Sequence, residues 1–447
     1  MPERSPADFV KHLLTRVREL AKLVEDHRLP DSEAINRMDD ISKKVMSGKK
    51  LATWKHLLDR FGYEDKQLIP DVAAAFRITG MQPYTSAFDF QVLLPSSSVD
   101  DLRLNSDLNN QAMLSRVRSS GDRGVDKTLW EQVELECNSG WLFGPFVSPK
   151  QLEEIILSKP HLCRRFPLLQ GASVRPIDDL SESGANGAFG CHDKMSFLDV
   201  DTICAVISML EKILCDGLCE VKLRTGMLLQ VEVHREWLSI PLAKTWAGKT
   251  FDLSKAYKQL CVHPSERWST PIAVFNPCTG SAVVFGQATL PFGASGAVLA
   301  FNRASKSLWF LGLTFLEIVW TSFYDDYPTL APLLVSRAVD KAVHLFLNML
   351  GWIVTSDPSK TFDFAESFNA LGVAFRVGRL ILGDSTVENK PARVLAVRGQ
   401  LQQVIACKRM PKPLAESLRG KVQFMENSVF GRAARSASKV FRSGRSL

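Results

Sequence analysis

Apolar residues at Phe9, Val10, Leu13, Leu14, Val17, Leu20, Ala21 and Val24 recur along one helical face, which predicts an amphipathic helix from Ala7 to about His27. Leu29-Pro30-Asp31-Ser32 stops it and offers a fresh cap, and two or three shorter helices follow to about residue 76. The polar stretches Ser96-Ser97-Ser98-Val99-Asp100-Asp101 and Ser119-Ser120-Gly121-Asp122-Arg123-Gly124 read as linkers. Residues 1–125 are therefore expected to form a helical accessory region.

Beyond it the pattern changes to short strands alternating with helices. Arg164 to Leu169 and Val174 to Asp178 flank Gln170-Gly171-Ala172, the pattern of a β-hairpin whose Gly supplies the turn. Asp199 to Cys215 has helical spacing, and Thr250 to Leu253 is a short strand entering a turn at Ser254. Phe315 to Tyr324 is a β-rich apolar run that leads into Asp325-Asp326 and a return strand broken by Pro328, which is hairpin geometry. A long apolar-faced helix is expected over Leu333–Leu350 and another strand over Phe368–Phe375. No internal repeat is present.

A length of 447 residues implies two to four packed units, and 45% hydrophobic with 23% charged residues excludes a disordered chain. No run of about 18 apolar residues occurs, and Met-Pro-Glu-Arg-Ser lacks a secretory pattern. The expectation is an intracellular protein, cytoplasmic or nuclear, without a membrane partner. Nine scattered cysteines read as mostly reduced core thiols, and Cys191 beside His192 offers two ligands of a zinc site, although two adjacent candidates without a second pair are far more often structural. The net charge of +7 is modest, but ten Lys or Arg against Glu416 and Glu426 between Lys408 and Leu447 give that stretch a balance of +8. Leu414, Leu418, Val422, Met425 and Val429 recur there at helical spacing, which predicts a helix presenting basic faces to a nucleic-acid backbone, with a merely solvated tail as the competing reading.

Two places put carboxylates where a core would resist them. Asp252 sits between Phe251 and Leu253 at a strand end, and Asp325-Asp326 is flanked by Tyr324 and Tyr327. Two carboxylates about 4 Å apart repel by roughly 4 kcal/mol at an effective dielectric of 20, and a bound cation removes that penalty. Hard carboxylate oxygens suit Mg²⁺ or Mn²⁺, and paired ions of this kind serve phosphoryl transfer. Taken alone, an Asp-Asp pair is most often a solvated turn.

The order of the surrounding blocks lifts that reading. From about residue 140 to 430 the chain resembles reverse transcriptases: a fingers hairpin, Asp-Leu-Ser-Lys-Ala-Tyr at 252–257, Leu-Pro-Phe-Gly at 290–293, Phe-Tyr-Asp-Asp at 323–326, Gly351-Trp352 with Lys360 downstream, and Leu371-Gly372. The strings look most similar to retroelements with long terminal repeats and to DIRS-type elements. The resemblance implies an α+β right hand: fingers within 126–248, a palm at 249–376 with a fingers-proximal loop at 286–300, and a basic thumb or connection at 377–447.

It further implies an RNA-directed DNA polymerase that joins dNTPs to a primer on an RNA or DNA template with Mg²⁺ or Mn²⁺. Asp252, Asp325 and Asp326 match the metal-binding aspartates, and Lys360 matches a lysine that protonates pyrophosphate. Tyr257 matches the steric gate, an aromatic that collides with a ribose 2′-hydroxyl. Arg175, then Arg165, are the choices for the triphosphate clamp, since guanidinium forks match phosphate oxygens. Phe292 and Gly293 match the loop under the incoming base, although retroviral enzymes often carry Gln where Phe292 stands. Asp178 corresponds to a residue that orients the fingers. Arg303, Lys421, Arg432 and Arg435 are the candidates for nucleic-acid phosphates.

Two readings compete: a non-enzymatic nucleic-acid-binding remnant of a retroelement, and an RNA-dependent RNA polymerase, which Tyr257 disfavours. The chain ends where a ribonuclease H domain begins in many relatives, as expected of one piece of a longer polyprotein.

Overall fold

The first helical pattern is realised as Pro6–Asp26, opened by Ser5, whose hydroxyl accepts the Asp8 amide. The structure, a computed structural model, describes residues 3–171, 173–222, 227–358 and 360–429. Short helices continue to Ala74, and they bury Phe9, Leu13, Trp54, Leu57 and Leu68 in the same core as Phe251, Leu253, Tyr327 and Trp352. The N-terminal helices are thus part of the wall behind the carboxylates, and not an appendage.

Each polar stretch begins as a connector, with no helix or strand over 94–98 or 117–122, and its last residues open a helix. Ser98 and Asp101 form a reciprocal cap on Val99–Leu104, and Asp122 accepts the Gly124 and Val125 amides at the head of Arg123–Asn138. Short polar side chains satisfy orphan helix amides as readily as they solvate a loop, so composition alone did not separate the two.

Among the described residues, with 49% in helix and 21% in strand in mostly antiparallel sheets flanked by helices, the class is α+β. A five-stranded sheet has the order Leu142–Phe146, Ser281–Gln287, Ile272–Asn276, Cys163–Gln170, Ser173–Asp179. Its last two strands are the expected hairpin, in register from Arg164 opposite Asp179 to Gln170 opposite Ser173. Strands Gly80–Gln82 and Asp89–Leu93 flank Phe189–Lys194 in a second sheet.

The central sheet has Asp326–Pro332 between Val319–Trp320 and Trp246–Asp252. Its long pair runs from Asp326 opposite Asp252 to Pro332 opposite Trp246. The expected strand over Phe315–Tyr324 shrinks to those two residues. Helix Ser295–Thr314 carries the apolar run further, and the chain then turns tightly, with Leu316 N–H on Leu311 O and Glu317 at φ 57°. Apolar β-branched and aromatic residues were spent on covering the helix Ser295–Thr314, a tertiary demand that overrides local preference. The helix expected over Leu333–Leu350 spans Ser336–Met349.

The segment expected as one strand at Phe368–Phe375 is a hairpin, Ser367–Ala370 with Val373–Arg376, turned by Leu371 and Gly372 in left-handed backbone. Thr386–Asn389 completes that sheet. The hairpin meets the central sheet at Gly248, where a Cβ would lie 2.1 Å from the Phe368 ring. Helices Pro391–Cys407 and Lys412–Val429 pack on each other through Val397, Val404 and Leu418. Among the described residues no helix is long and apolar enough to cross a membrane.

Candidate active site

Register brings the acidic residues together. Because Asp326 faces Asp252 across an antiparallel pair, their Cα atoms are about 4.5–5.5 Å apart and their side chains share one face. Asp325 joins them from the preceding turn: Phe323 and Asp326 exchange backbone hydrogen bonds at 2.9 and 3.0 Å, and the Asp325 carbonyl accepts Leu253 N–H at 3.2 Å. That turn requires left-handed backbone at Tyr324, φ 54°, an unusual state for an aromatic. Two contacts hold it there: the Ser305 hydroxyl donates to the Tyr324 carbonyl, and the Phe197 ring stacks on Tyr324 at 4.5 Å.

The three charges feel one another. Burial, then the charges of Asp325 and Asp252, push the Asp326 carboxyl up to about 7, while burial and then Asp252 raise Asp325. Lys360 relieves part of the repulsion, its ammonium 2.8 Å from Asp252 Oδ2, and that hydrogen bond raises the lysine above its ordinary range. Asp252 is only 13% exposed, whereas Lys360 is 58% exposed and stands at the mouth of the cleft. The cleft, of about 560 Å³, is lined by Asp252, Asp326, Lys360, Lys390 and the hairpin Phe368–Gly372. Among the described residues no group of three or more His, Cys, Asp or Glu stands ready-arranged around one point for a metal ion. Asp252 is turned to Lys360, whose ammonium stands on that carboxylate.

A carboxyl raised on folding favours the folded state below its unfolded pKa, near 3.9, and loses that advantage as pH rises through about 7. Asp326→Asn is therefore expected to melt above the wild type at pH 8, by about 1–3 kcal/mol allowing for solvent screening, and to converge with it below pH 4. Thermal melts at the two pH values, in chelator, check this; an equal difference at both would exclude repulsion as the cause.

The remaining candidates divide. Tyr257 sits on the short helical turn Ala256–Gln259, stacked on Phe301 at 4.7 Å and edge-on to Phe292 at 5.6 Å, and burial, then the Asp325 charge, raises its hydroxyl. Phe292 is 59% exposed at the tip of its loop. Gly293, φ 101°, has Asp178 O 3.1 Å from where a Cβ would stand, and Asn186 staples this loop by donating to Gly293 O and accepting Ser295 N–H. Arg175 is exposed on the hairpin.

Two arginines expected at phosphates are structural. Arg165 is 3% exposed and grips Asp178 through two bonds of 2.6 and 2.9 Å, with Glu136 at 2.8 Å. Arg303, 5% exposed, is held by Asp65 at 2.8 Å and Asp71 at 2.7 Å. Their partners lie far off in sequence, so nothing local marked either guanidinium as already satisfied. Lys421 donates to Gln400 on the neighbouring helix at 3.0 Å. Arg432, Arg435 and the turn residue Ala172 lie outside the described residues. Cys191 donates to the Asp193 carbonyl, and His192 Nδ1 lies 2.9 Å from Gln82 O.

Sequence reasoning missed Glu136, Lys258 and Gln287, which close the buried cluster around Arg165 and Asp178: Lys258 Nζ is 3.6 Å from Glu136, and Gln287 donates to Asp178 at 3.2 Å. Gln287 at the end of Val-Val-Phe-Gly was a legible signal, a polar residue in an apolar strand. Phe197, Ser305 and Gln259 gave none.

Solved structures similar to the chain include the foamy viral protease-reverse transcriptase dRH in complex with ds DNA, with a TM-score of 0.47, 12% identity, and cover of 93% of this chain and 55% of that one. Another is the foamy viral protease-reverse transcriptase in complex with dsDNA, with a TM-score of 0.44, 11% identity, and cover of 93% and 66%. The chain thus spans a little over half of the first and about two thirds of the second. No protein-family model matches the sequence, and no curated protein matches it.

Proposed function

We propose that the chain is an RNA-directed DNA polymerase of a retroelement, a nucleotidyltransferase that joins dNTPs to a primer 3′-hydroxyl on an RNA or DNA template. The observation that carries the reading is the meeting of Asp252, Asp325 and Asp326 at one end of an antiparallel pair, two of them held above the usual carboxylate range. A fold that keeps such charges half-buried forgoes stability unless a cation binds them. The donor set is all carboxylate oxygen, which suits Mg²⁺ or Mn²⁺ held by these three residues. Such ions, when bound, supply charge neutralisation for the attacking and departing oxygens.

The chain's own groups supply the rest. Lys360, once displaced from Asp252, is placed to give a proton to departing pyrophosphate. Arg175 and the exposed Phe292 are the groups assigned to triphosphate and base, with Asn186 fixing the Phe292 loop to the helical turn that follows the hairpin. On this reading the central sheet is the palm, the five-stranded sheet the fingers, and the C-terminal helix pair a thumb whose Lys421 borders the duplex. The motif strings favour an element of the LTR or DIRS kind.

Extension of a labelled primer on an RNA template, with dNTPs and Mg²⁺, tests the reading. The Lys360–Asp252 pair favours one alternative, a remnant that binds nucleic acid without chemistry; retained primer–template binding with no extension in Mg²⁺ or Mn²⁺ selects it. Tyr257→Val is expected to lower the preference for dNTP over NTP by about 10- to 100-fold, since the gate aromatic is what meets the 2′-hydroxyl. Paired incorporation rates for dGTP and GTP measure this, and an unchanged ratio removes Tyr257 from the gate.

A further inference from the structure

Lys49, on the N-terminal helical region, is 3% exposed and, among the described residues, has no carboxylate partner. Its ammonium donates to Gln259 Oε1 at 3.1 Å and to Gly351 O at 2.7 Å, and lies 4.0 Å from the centre of the Trp352 ring. Burial pushes it down to about 7. An amine held in a dry place by acceptors alone is costly, and a methionine of similar length would fill the same volume without that cost.

What the cost secures is visible in Gln259. Its carboxamide makes four hydrogen bonds: Oε1 accepts from Lys49 and from Ile353 N–H at 2.9 Å, and Nε2 donates to Ser254 O at 2.8 Å and to Ile353 O at 3.0 Å. These bonds join the turn after Asp252 to the segment that leads to Lys360. Two backbone bonds continue the seam, Ser254 N–H to Ile353 O at 2.9 Å and Thr355 N–H to Asp252 O at 2.8 Å. The N-terminal region fits this seam closely: a Cβ on Gly351, φ 82°, would stand 2.0 Å from Gly48 O. Lys50 N–H donates to Leu350 O at 3.3 Å beside it.

We propose that Lys49 is a positioning residue for the polymerase reaction: through Gln259 it holds the Asp252 turn and the Lys360 segment in one register, which gives the N-terminal helices a part in catalysis. The inference rests on the function proposed above, but the seam can be read in the protein alone.

Lys49→Met in the 447-residue chain is expected to keep the wild-type melting temperature within about 2 °C, because the buried ammonium is replaced by a side chain that needs no partner. Amide exchange at Ile353 and Thr355 should quicken about 10-fold, with the hairpin around Gln170 unchanged. Under single-turnover conditions the maximal rate should fall about 10-fold, while the dNTP KM and primer–template affinity move less than about twofold. Gln259→Met should reproduce the effect, and the double variant should be no slower than Gln259→Met alone, since the two act in series. Wild-type exchange and rate in Lys49→Met overturn the proposal, and so does a general rise in exchange with a lowered melting temperature. If the wild type extends no primer, the function reading fails, and exchange at Ile353 and Thr355 still decides whether Lys49 holds the seam.

Discussion

Asp252→Ala is expected to lower primer extension by about 10³-fold or more, with primer–template affinity changed by less than about threefold. Asp252 ends the strand Trp246–Asp252, faces Asp326 across the ladder, and carries the bond to Lys360. Its removal should not unfold the protein, because its partner Lys360 is mostly in water and loses no buried contact. It should also relieve Asp326, which Asp252 helps to hold near 7, so the carboxyl of Asp326 in Asp252→Ala should titrate lower in carbon-detected NMR. Single-turnover extension in Mn²⁺ reads the rate. A variant that keeps more than about a tenth of wild-type activity would show that the chemistry lies elsewhere.

Arg165→Met carries the largest expected loss of stability, about 3–5 kcal/mol in denaturant melts, because it strands Asp178 and Glu136 in the interior. In the wild type the guanidinium holds both carboxyls below their ordinary range against the opposing effect of burial. Lysine at the site cannot supply the fork that reaches Asp178 twice and Glu136 once, so Arg165→Lys should recover only part of the loss. Adding Asp178→Asn to Arg165→Met should restore roughly half, since one of the two stranded charges is removed. A loss below about 1 kcal/mol for Arg165→Met would mean that water reaches the cluster and that Arg165 is free to meet a ligand.

How far the sequence could be read depends on whether a feature was local. The hairpin Arg164–Asp179 and a strand carrying Asp252 were legible from alternation and a turn residue, because each is specified within about ten residues. Phe315–Tyr324 misled for the opposite reason: its β-forming side chains serve contacts made elsewhere in the fold. Hydrophobic pattern likewise gave no hint that Phe9 and Trp54 share a core with Tyr327, since burial partners leave no mark on spacing. At the site, adjacency along the chain brought Asp325 and Asp326 into view, and the resemblance of ordered motifs joined Asp252 to them. Charge type was the least legible quantity. Arg165, Arg175 and Arg303 look alike on paper, yet only Arg175 reaches solvent, because Asp178 and Asp65 were placed by the fold beside the other two.

Gly248 adds a dimensional consequence. The Phe368 ring rests where the first carbon of any side chain would begin, so the gap between the aspartate-bearing ladder and the Leu371–Gly372 turn is fixed by a missing atom. Even one methyl group at position 248 would act as a shim, lifting that turn outward and widening the cleft beside Asp252 and Asp326.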